Sequence, residues 1–584
     1  MKTYIKLLAI AALAAASTSC TEIHDYPDGR MSFDELFSEA SKTGGYMNSC
    51  YGGAVVSYGH VFGSNSFLAA ACDDAHDVDD ISGGSMLKWN NGFLSPFNNP
   101  LSDLSKWNLY QYIRKCNILL SHLSTAAVML PTERVSYEGE ARGLRAFYYL
   151  QLIKTYGSVP FILDNTTEVV SQDEWKNIKV ASFGEIAKFI IDECRDIIEN
   201  NDQLIWHSGS TSSDQSRFCK GILAAVMSEA ALYAASPLNN DGTITWKDAA
   251  EVCKYAMDKC IKEGGYKLRT ATPEGEYTSL VYNAYDLMFI QAPDVKGVDD
   301  PECIMAGRNQ LKVWSICGLP TTYGSSSAGS CPSQELVDSY ETLQGEMPIL
   351  GYSDEDHLVP VINPKARYDD SNPYANRDPR LMASIYYDGA RLKPSDRKVI
   401  STTQNGTCAV SATLKTNTRT GYYLRKYSSP SSSSRGNKDG NFRVYRLAEL
   451  YLNYAEAANE AVADGANAPK DAIAAVNSIR SRVGMPALPA QMTKDEFRTR
   501  VRNERRVELA FENHRFYDVR RWKILDSTGK VVTGMKPSAN GYTRFVVSRR
   551  NAWQDKYLNL PIPGDDVSRI LEATSVNIQN KFWK

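Results

Sequence analysis

The stretch "NERRVELAFENHRFYDVRRW", Asn503 to Trp522, holds five arginines, three glutamates and five aromatic or histidine side chains. It can be read as a nucleic-acid stripe, as a catalytic carboxylate pair or as scaffolding. At about 100° per residue, Phe497, Val501, Val507 and Phe511 share one helix face. Glu504 and Glu508 project from that face between the apolar residues, while Arg502 and Arg506 fall on the opposite side. A nucleic-acid stripe would gather its arginines without interleaved glutamates. Glycosidase carboxylates flank a sugar in a cleft and usually come from different elements. Carboxylates on a core-facing stripe therefore read as structural, each requiring a buried cation.

The partner is sought in a second helical pattern, "SYEGEARGLRAFYYLQLIKTY", Ser136 to Tyr156. Ala141, Leu144, Tyr148 and Leu152 form its apolar face, and Arg145 lies inside the same stripe. Arg145 is expected to be buried and paired with Glu504, Glu508 or Glu229; Glu229 shares an apolar face with Ile222 and Tyr233.

Eight stretches carry helical periodicity: 105–128, 136–156, 182–200, 216–236, 246–262, 443–462, 469–483 and 493–513. They come as neighbours joined by short connections. This predicts a mainly α fold, a tetratricopeptide-like α-solenoid of about four helix pairs. Gly/Ser/Pro-rich runs such as "TTYGSSSAGSCPS" and "SSPSSSSRGNKDGN" mark 264–440 as a loop-rich, irregular insertion. The chain thus divides into a signal at 1–19, a first helical part at 20–263, the insertion at 264–440 and a closing helical part at 441–584. Residues 21–103 also read as loop-rich.

The chain of 584 residues has a formal net charge of −3, which opposes general binding to a polyanion, so no nucleic-acid partner is expected. At the N-terminus, "MKTYIKLLAIAALAAASTSC" places Lys2 and Lys6 before an apolar run, Leu7 to Ala16, and small residues before Cys20. This reads as an export signal with Cys20 lipidated after cleavage, although Ser17 stands where such boxes usually carry leucine. No later run is apolar enough to span a bilayer. Twelve cysteines less Cys20 leave eleven, an odd number, so not all can be in disulfides. Cys116, Cys194, Cys219, Cys253 and Cys260 lie in helical patterns and are expected to be buried thiols.

Hydrolase and phosphate-loop signatures are absent: the chain contains no GxSxG, HExxH or GxxxxGK[ST]. Asp73, Asp74, Asp77, Asp79 and Asp80 crowd one loop. Their density could hold Ca²⁺, but the spacing is not that of an EF-hand, and a solvated acidic loop is the plainer expectation. No other metal or cofactor is expected.

Several motifs resemble those of the SusD/RagB family. They are "EGEARGLRAFYYLQLIKTYGSVPFI" (Glu138 to Ile162), "AASPL" (Ala234 to Leu238), "CPSQELVDSY" (Cys331 to Tyr340), "NRDPRL" (Asn376 to Leu381), "YRLAELYLNYAEAANE" (Tyr445 to Glu460), "AIAAVNSIRSRVGMP" (Ala472 to Pro486) and the Asn503–Trp522 stretch. The resemblance implies a lipid-anchored outer-membrane protein facing the cell exterior. It further implies a non-catalytic protein that binds oligosaccharides and delivers them to a SusC-type TonB-dependent transporter. Capture of a peptide or other nutrient, or glycoside hydrolysis by an unrecognised carboxylate pair, are the alternatives.

Sugar binding needs flat aromatic faces beside amides and hydroxyls. The helices spend rings such as Tyr148 and Tyr454 on core stripes, so loop aromatics remain. Trp89 with the neighbouring Asn91, and Trp314 with Tyr323, are the expected ligand-binding residues.

Overall fold

The computed structural model describes residues 31–54, 61–62, 66–164, 166, 178–208, 217–270, 283–290, 300–313, 318–319, 323, 325–391, 399–429, 432, 439–539 and 541–584. Its longer helices are α1 (Ala40–Cys50), α2 (Tyr110–His122), α3 (Pro131–Tyr156), α4 (Phe183–Asn200), α5 (Lys220–Ala235), α6 (Trp246–Lys262), α7 (Leu447–Ala461), α8 (Lys470–Arg482), α9 (Lys494–Glu508), α10 (His514–Arg521) and α11 (Gly564–Thr574).

Local chemistry sets several of the starts. Ser182 and Glu185 close a capping box on α4, Thr245 and Asp248 do so on α6, and Thr493 and Glu496 on α9. Pro131 opens α3, where its missing N–H costs nothing.

Each helix packs on the next, from α1 through α2, α3, α4, α5 and α6 to α7, and α8 and α9 also pack on α7. Helix α5 touches α3, α4, α6 and α7. It is buried from Gly221 to Ala235, as a helix apolar on all sides must be. The mainly α, tetratricopeptide-like architecture is as expected. The predicted boundaries move in several places. The segment before Tyr110 is 3₁₀ rather than α. The expected start of the sixth helix is a strand, Asn441–Arg446. The loop-rich N-terminal region contains α1.

The stretch read as one helix over 493–513 is two. Helix α9 ends at Glu508, Phe511 and Asn513 take left-handed backbone (φ 58° and 67°), and α10 starts at His514. Asparagine tolerates that region; Phe511 is held there by burial against Phe67.

The remainder is stitched by short antiparallel pairs. β1 (Ala75–Asp77) pairs with β3 (Ser330–Pro332), and β2 (Cys303–Gln310) with β4 (Asn441–Arg446), which runs straight into α7. A hairpin, β5 (Val531–Ser538) and β6 (Gly541–Arg549), lies on the segment around Thr420. The approach is backbone to backbone: Met535 donates to the Thr420 carbonyl at 2.8 Å. Gly421 (φ 91°) leaves no room there, since a Cβ would sit 1.8 Å from the Met535 oxygen. No described helix is long and apolar enough to cross a membrane.

Candidate functional site

The glutamates of the Asn503–Trp522 stretch meet arginines, but not the expected one. Glu504 accepts from Arg380 at 2.6 Å and from Arg480 at 2.9 Å. Glu508 binds Arg380 at 2.9 Å, Arg446 at 2.6 Å and also Arg482. Arg446 continues to Glu302 and Glu512, and Lys426 to Glu512. This buried lattice joins α8, α9, β4 and the "NRDPRL" segment. Burial alone would raise the Glu508 carboxyl, but Arg482, Arg446 and Arg380 hold it well below the usual carboxylate range. Burial pulls Lys426 down to about 8 despite Glu512. The scaffolding reading of this stretch stands, with every carboxylate committed to a cation.

Arg145 is a correction. Its side chain is 11% exposed and pairs with Glu193 at 3.0 Å, hydrogen-bonds Asn117 at 3.0 Å and lies over the Phe189 ring. Glu229 is instead taken by Lys154 and by the Tyr445 hydroxyl at 2.7 Å. The face of α3 that carries Arg145 packs on α4, so its partner comes from the adjacent helix. Arg506, expected on the outer side, also turns inward, to Asp73 and Asp74 at 2.9 and 2.8 Å, and Arg502 lies over Trp522. The helical wheel identified the stripe but could not foresee that the acidic N-terminal loop covers the opposite side.

The same pairing decides the aspartate cluster. Asp73 is gripped by Arg506 and Arg515, and Asp80 by Arg419 and His76. Asp77 accepts from Ser330 at 3.0 Å, and burial pushes it up to about 6. Asp79 accepts the Met86 amide at 2.9 Å. Asp73 and Asp74 share Arg506, the others take different partners, and no metal-competent cluster occurs among the described residues. Apart from Asp80 these side chains are buried, so the solvated loop expected from sequence is instead held inside, Asp73, Asp74 and Asp80 by ion pairs and Asp77 and Asp79 by hydrogen bonds.

The expected ligand aromatics divide. Trp89 is 0% exposed, sealed among Phe516, Tyr557 and the Arg520 guanidinium. It cannot stack on a ligand, because its short helix, Ser85–Asn90, presses it onto α10. Asn91, the C-cap of that helix, is exposed. Tyr323 is half-buried beside Tyr423, with its hydroxyl 3.3 Å from Thr407 Oγ1. Trp314 and Cys20 lie outside the described residues. No described hydrogen bond or ring contact joins Asn91 to Tyr323. A further aromatic group, Tyr374 stacked on Tyr387 at 4.3 Å with Tyr542 edge-on at 5.2 Å, spends its rings largely on each other.

Sequence reasoning missed the rings a few residues beyond Trp89. Phe93 is 60% exposed and Phe97 is 74% exposed. They project from "NNGFLSPFNNP", where Ser95 and Asn98 exchange backbone hydrogen bonds of 2.9 and 3.1 Å around Pro96–Phe97. The turn is tied down at three points. Asn90 accepts the Asn551 amide at 2.8 Å, Gly92 the Tyr557 hydroxyl at 2.9 Å, and Pro96 the Gly564 amide at 2.8 Å. Asn98 braces it from within, donating to the Phe93 carbonyl at 3.1 Å. The result is a preorganised turn that carries two largely exposed rings, Phe97 resting on Gly564, a few residues along the chain from the exposed Asn91. The signal was present: phenylalanines that directly follow the Asn91-Gly92 and Ser95-Pro96 turn dipeptides have no strand or helix face on which to hide.

Comparison with known proteins places this geometry in a family. Residues 294–583 match the SusD family model. A SusD-like protein of Formosa agariphila is 37% identical over 97 residues, which is 16% of this chain and 18% of that protein. The match to this relative therefore spans less than a fifth of its length. Among solved structures, a SusD-like protein from Bacteroides fragilis superposes with a TM-score of 0.73 at 25% identity, covering 94% of this chain and 98% of the other. A laminarin-binding SusD-like protein superposes with a TM-score of 0.54 at 21% identity, covering 93% and 100%. The chain belongs to the SusD/RagB family.

Proposed function

We propose that this protein captures oligosaccharides without cleaving them and passes them to a SusC-type TonB-dependent transporter. In this reading it is held to the outer membrane by a lipid on Cys20 and faces the cell exterior. The observation that carries the reading is the rigid turn bearing exposed Phe93 and Phe97, in a chain of the SusD/RagB family. Aromatic faces match the C–H faces of pyranoses, and the exposed Asn91 amide a few residues along the chain offers a donor and an acceptor for hydroxyls. Tyr323 and Trp314, in the loop-rich part of the chain, are proposed to extend contact along a longer glycan. The carboxylates that a hydrolase would need are, at the Asn503–Trp522 stretch, locked to arginines.

Calorimetry of the purified chain against a polysaccharide panel tests this. Laminarin comes first, because a structural relative is named for binding it. Binding with no new reducing ends is the expected result. New reducing ends would identify a hydrolase, and failure to bind any glycan alongside peptide binding would redirect the reading to another nutrient.

A further inference from the structure

One end of the helical array exposes large apolar side chains: Met31, Met129, Leu130, Val135 and Ile205. Met129, Leu130 and Ile205 are 74%, 60% and 63% exposed. They come from three separate segments that hydrogen bonds and ring contacts tie to one another. Ala127, in the turn between α2 and α3, donates to the Phe37 carbonyl at 2.8 Å, and the Phe33 and Phe37 rings lie 5.4 and 5.0 Å from the His122 ring. This seats the first described residues against the end of α2. Asn201, the C-cap of α4, donates to the Val135 carbonyl at 2.8 Å, and Lys220, the first residue of α5, donates to the Ile205 carbonyl at 2.9 Å.

The ionic groups of the α2–α3 turn face the backbone instead of solvent. The Glu133 carboxylate accepts the Met129 and Leu130 amides at 2.9 and 3.4 Å. Arg134 donates to the Leu123 and Ala126 carbonyls at 2.8 and 2.7 Å. A solvated turn shows its charges and hides its apolar side chains, and this one does the reverse. Exposed apolar surface of this kind marks contact with a protein or with a membrane. None of the five side chains is aromatic, whereas protein hot spots favour tryptophan, tyrosine and arginine in packed pockets. Side chains projecting singly from separate turns suit a fluid that closes around each of them. Chain length points the same way. Met31 is only eleven positions after Cys20, a span of at most about 40 Å when fully extended.

We propose that this end of the array rests on the lipid surface, with Met129, Leu130 and Ile205 entering the boundary between headgroups and acyl chains. The proposal rests on the lipid-anchor reading above and adds the orientation of the protein on its membrane: the α2–α3 and α4–α5 connections point down. Asp34, Glu35 and Asp202 are also exposed at this end, so the contact is apolar and does not draw on attraction to anionic headgroups.

The test places the lipidated full chain on phosphatidylcholine vesicles whose acyl chains carry bromine near the headgroup, a contact quencher of tryptophan. Leu130→Trp and Ile205→Trp put a reporter at two exposed positions of this end. Leu350→Trp puts one on the exposed hairpin of Ile349–Tyr352 and Pro360–Ile362. The parent, with its nine tryptophans, gives the background. Emission of Leu130→Trp and Ile205→Trp should fall on brominated vesicles by more than the parent loses, and that of Leu350→Trp should not. No added loss at Leu130→Trp and Ile205→Trp overturns the proposal and leaves this end to a protein partner; an equal loss at Leu350→Trp also overturns it. Flotation of the chain with the vesicles reads the anchor separately. For a chain that does not float, a histidine tag in place of Cys20 holds it to a nickel-chelating lipid, and the same quenching decides the proposal.

Discussion

Replacing Glu508 by glutamine tests the buried ion-pair lattice at its most connected point. The carboxylate faces three guanidiniums, with Arg380 at 2.9 Å, Arg446 at 2.6 Å and Arg482 also in contact. Each contact near 2.8 Å is worth about 6 kcal/mol gross at an effective dielectric of about 20. Most of that is cancelled, because glutamine avoids the cost of burying a charge. Arg380 also keeps Asp378 and Glu504, Arg446 keeps Glu302 and Glu512, and Arg482 keeps Glu302. Breaking one member of such a network leaves a net loss of about 3–5 kcal/mol. The control is Asp192→Asn, which removes a solvent-exposed pair with Lys188 and should change stability by no more than about 0.5 kcal/mol. Urea unfolding of the three proteins measures the difference. The folded-state pKa of Glu508 is depressed, so its contribution is fully present above the ordinary value of 4.5 and is lost as pH falls below it. The parent should therefore lose its advantage over Glu508→Gln in acid. If Glu508→Gln is no less stable than the control at neutral pH, the lattice is not what holds α8, α9, β4 and the "NRDPRL" segment together.

Three further outcomes are expected. Phe93→Ala and Phe97→Ala should each weaken glycan binding by about 1 kcal/mol or more by calorimetry while the melting temperature barely moves; parent-like affinity in both would relocate the site. Burial drives His514 down to about 3 from an ordinary 6.5, so the unfolded chain takes up a proton between those values that the folded chain refuses. Stability should fall as pH drops below 6.5, and unfolding of His514→Gln should show a shallower slope across that window; an unchanged slope would reject the assignment. Cys20→Ala should release the protein from isolated membranes, and retention of the variant in membranes stripped of partner proteins would refute the lipid anchor.

Helix existence was legible because it depends on periodicity within one segment. All eight predicted stretches contain a helix, and the capping boxes at Ser182, Thr245 and Thr493 mark three of the starts. Partner choice was not legible, because it depends on which element lands opposite. Arg145 shares a stripe with Leu144 and Tyr148, and the wheel cannot say that the neighbour is Glu193 of α4 rather than Glu504 of α9. The break in the Asn503–Trp522 stretch was hidden because Phe511 adopts left-handed backbone only under tertiary constraint. In the loop chosen for the candidate site the structure exposes Asn91 and buries Trp89. Trp89 was favoured for its size and its amide neighbours. Yet the largest ring in a short amphipathic turn is the one burial most rewards, which left the display to Phe93 and Phe97.

Helix α6 lies against α7, yet residues 263 to 446 separate them along the chain. Closing that excursion costs about 3 kcal/mol more entropy than a five-residue turn, from about five doublings of loop length. During synthesis, α1 to α6 are complete long before α7 exists, and α6 meanwhile exposes the apolar face that α7 will cover. The early chain is therefore an unfinished stack with a sticky end, prone to associate with its own copies. Folding should then proceed in two phases, a fast one for the local helix pairs and a slow, late one that shuts the seam.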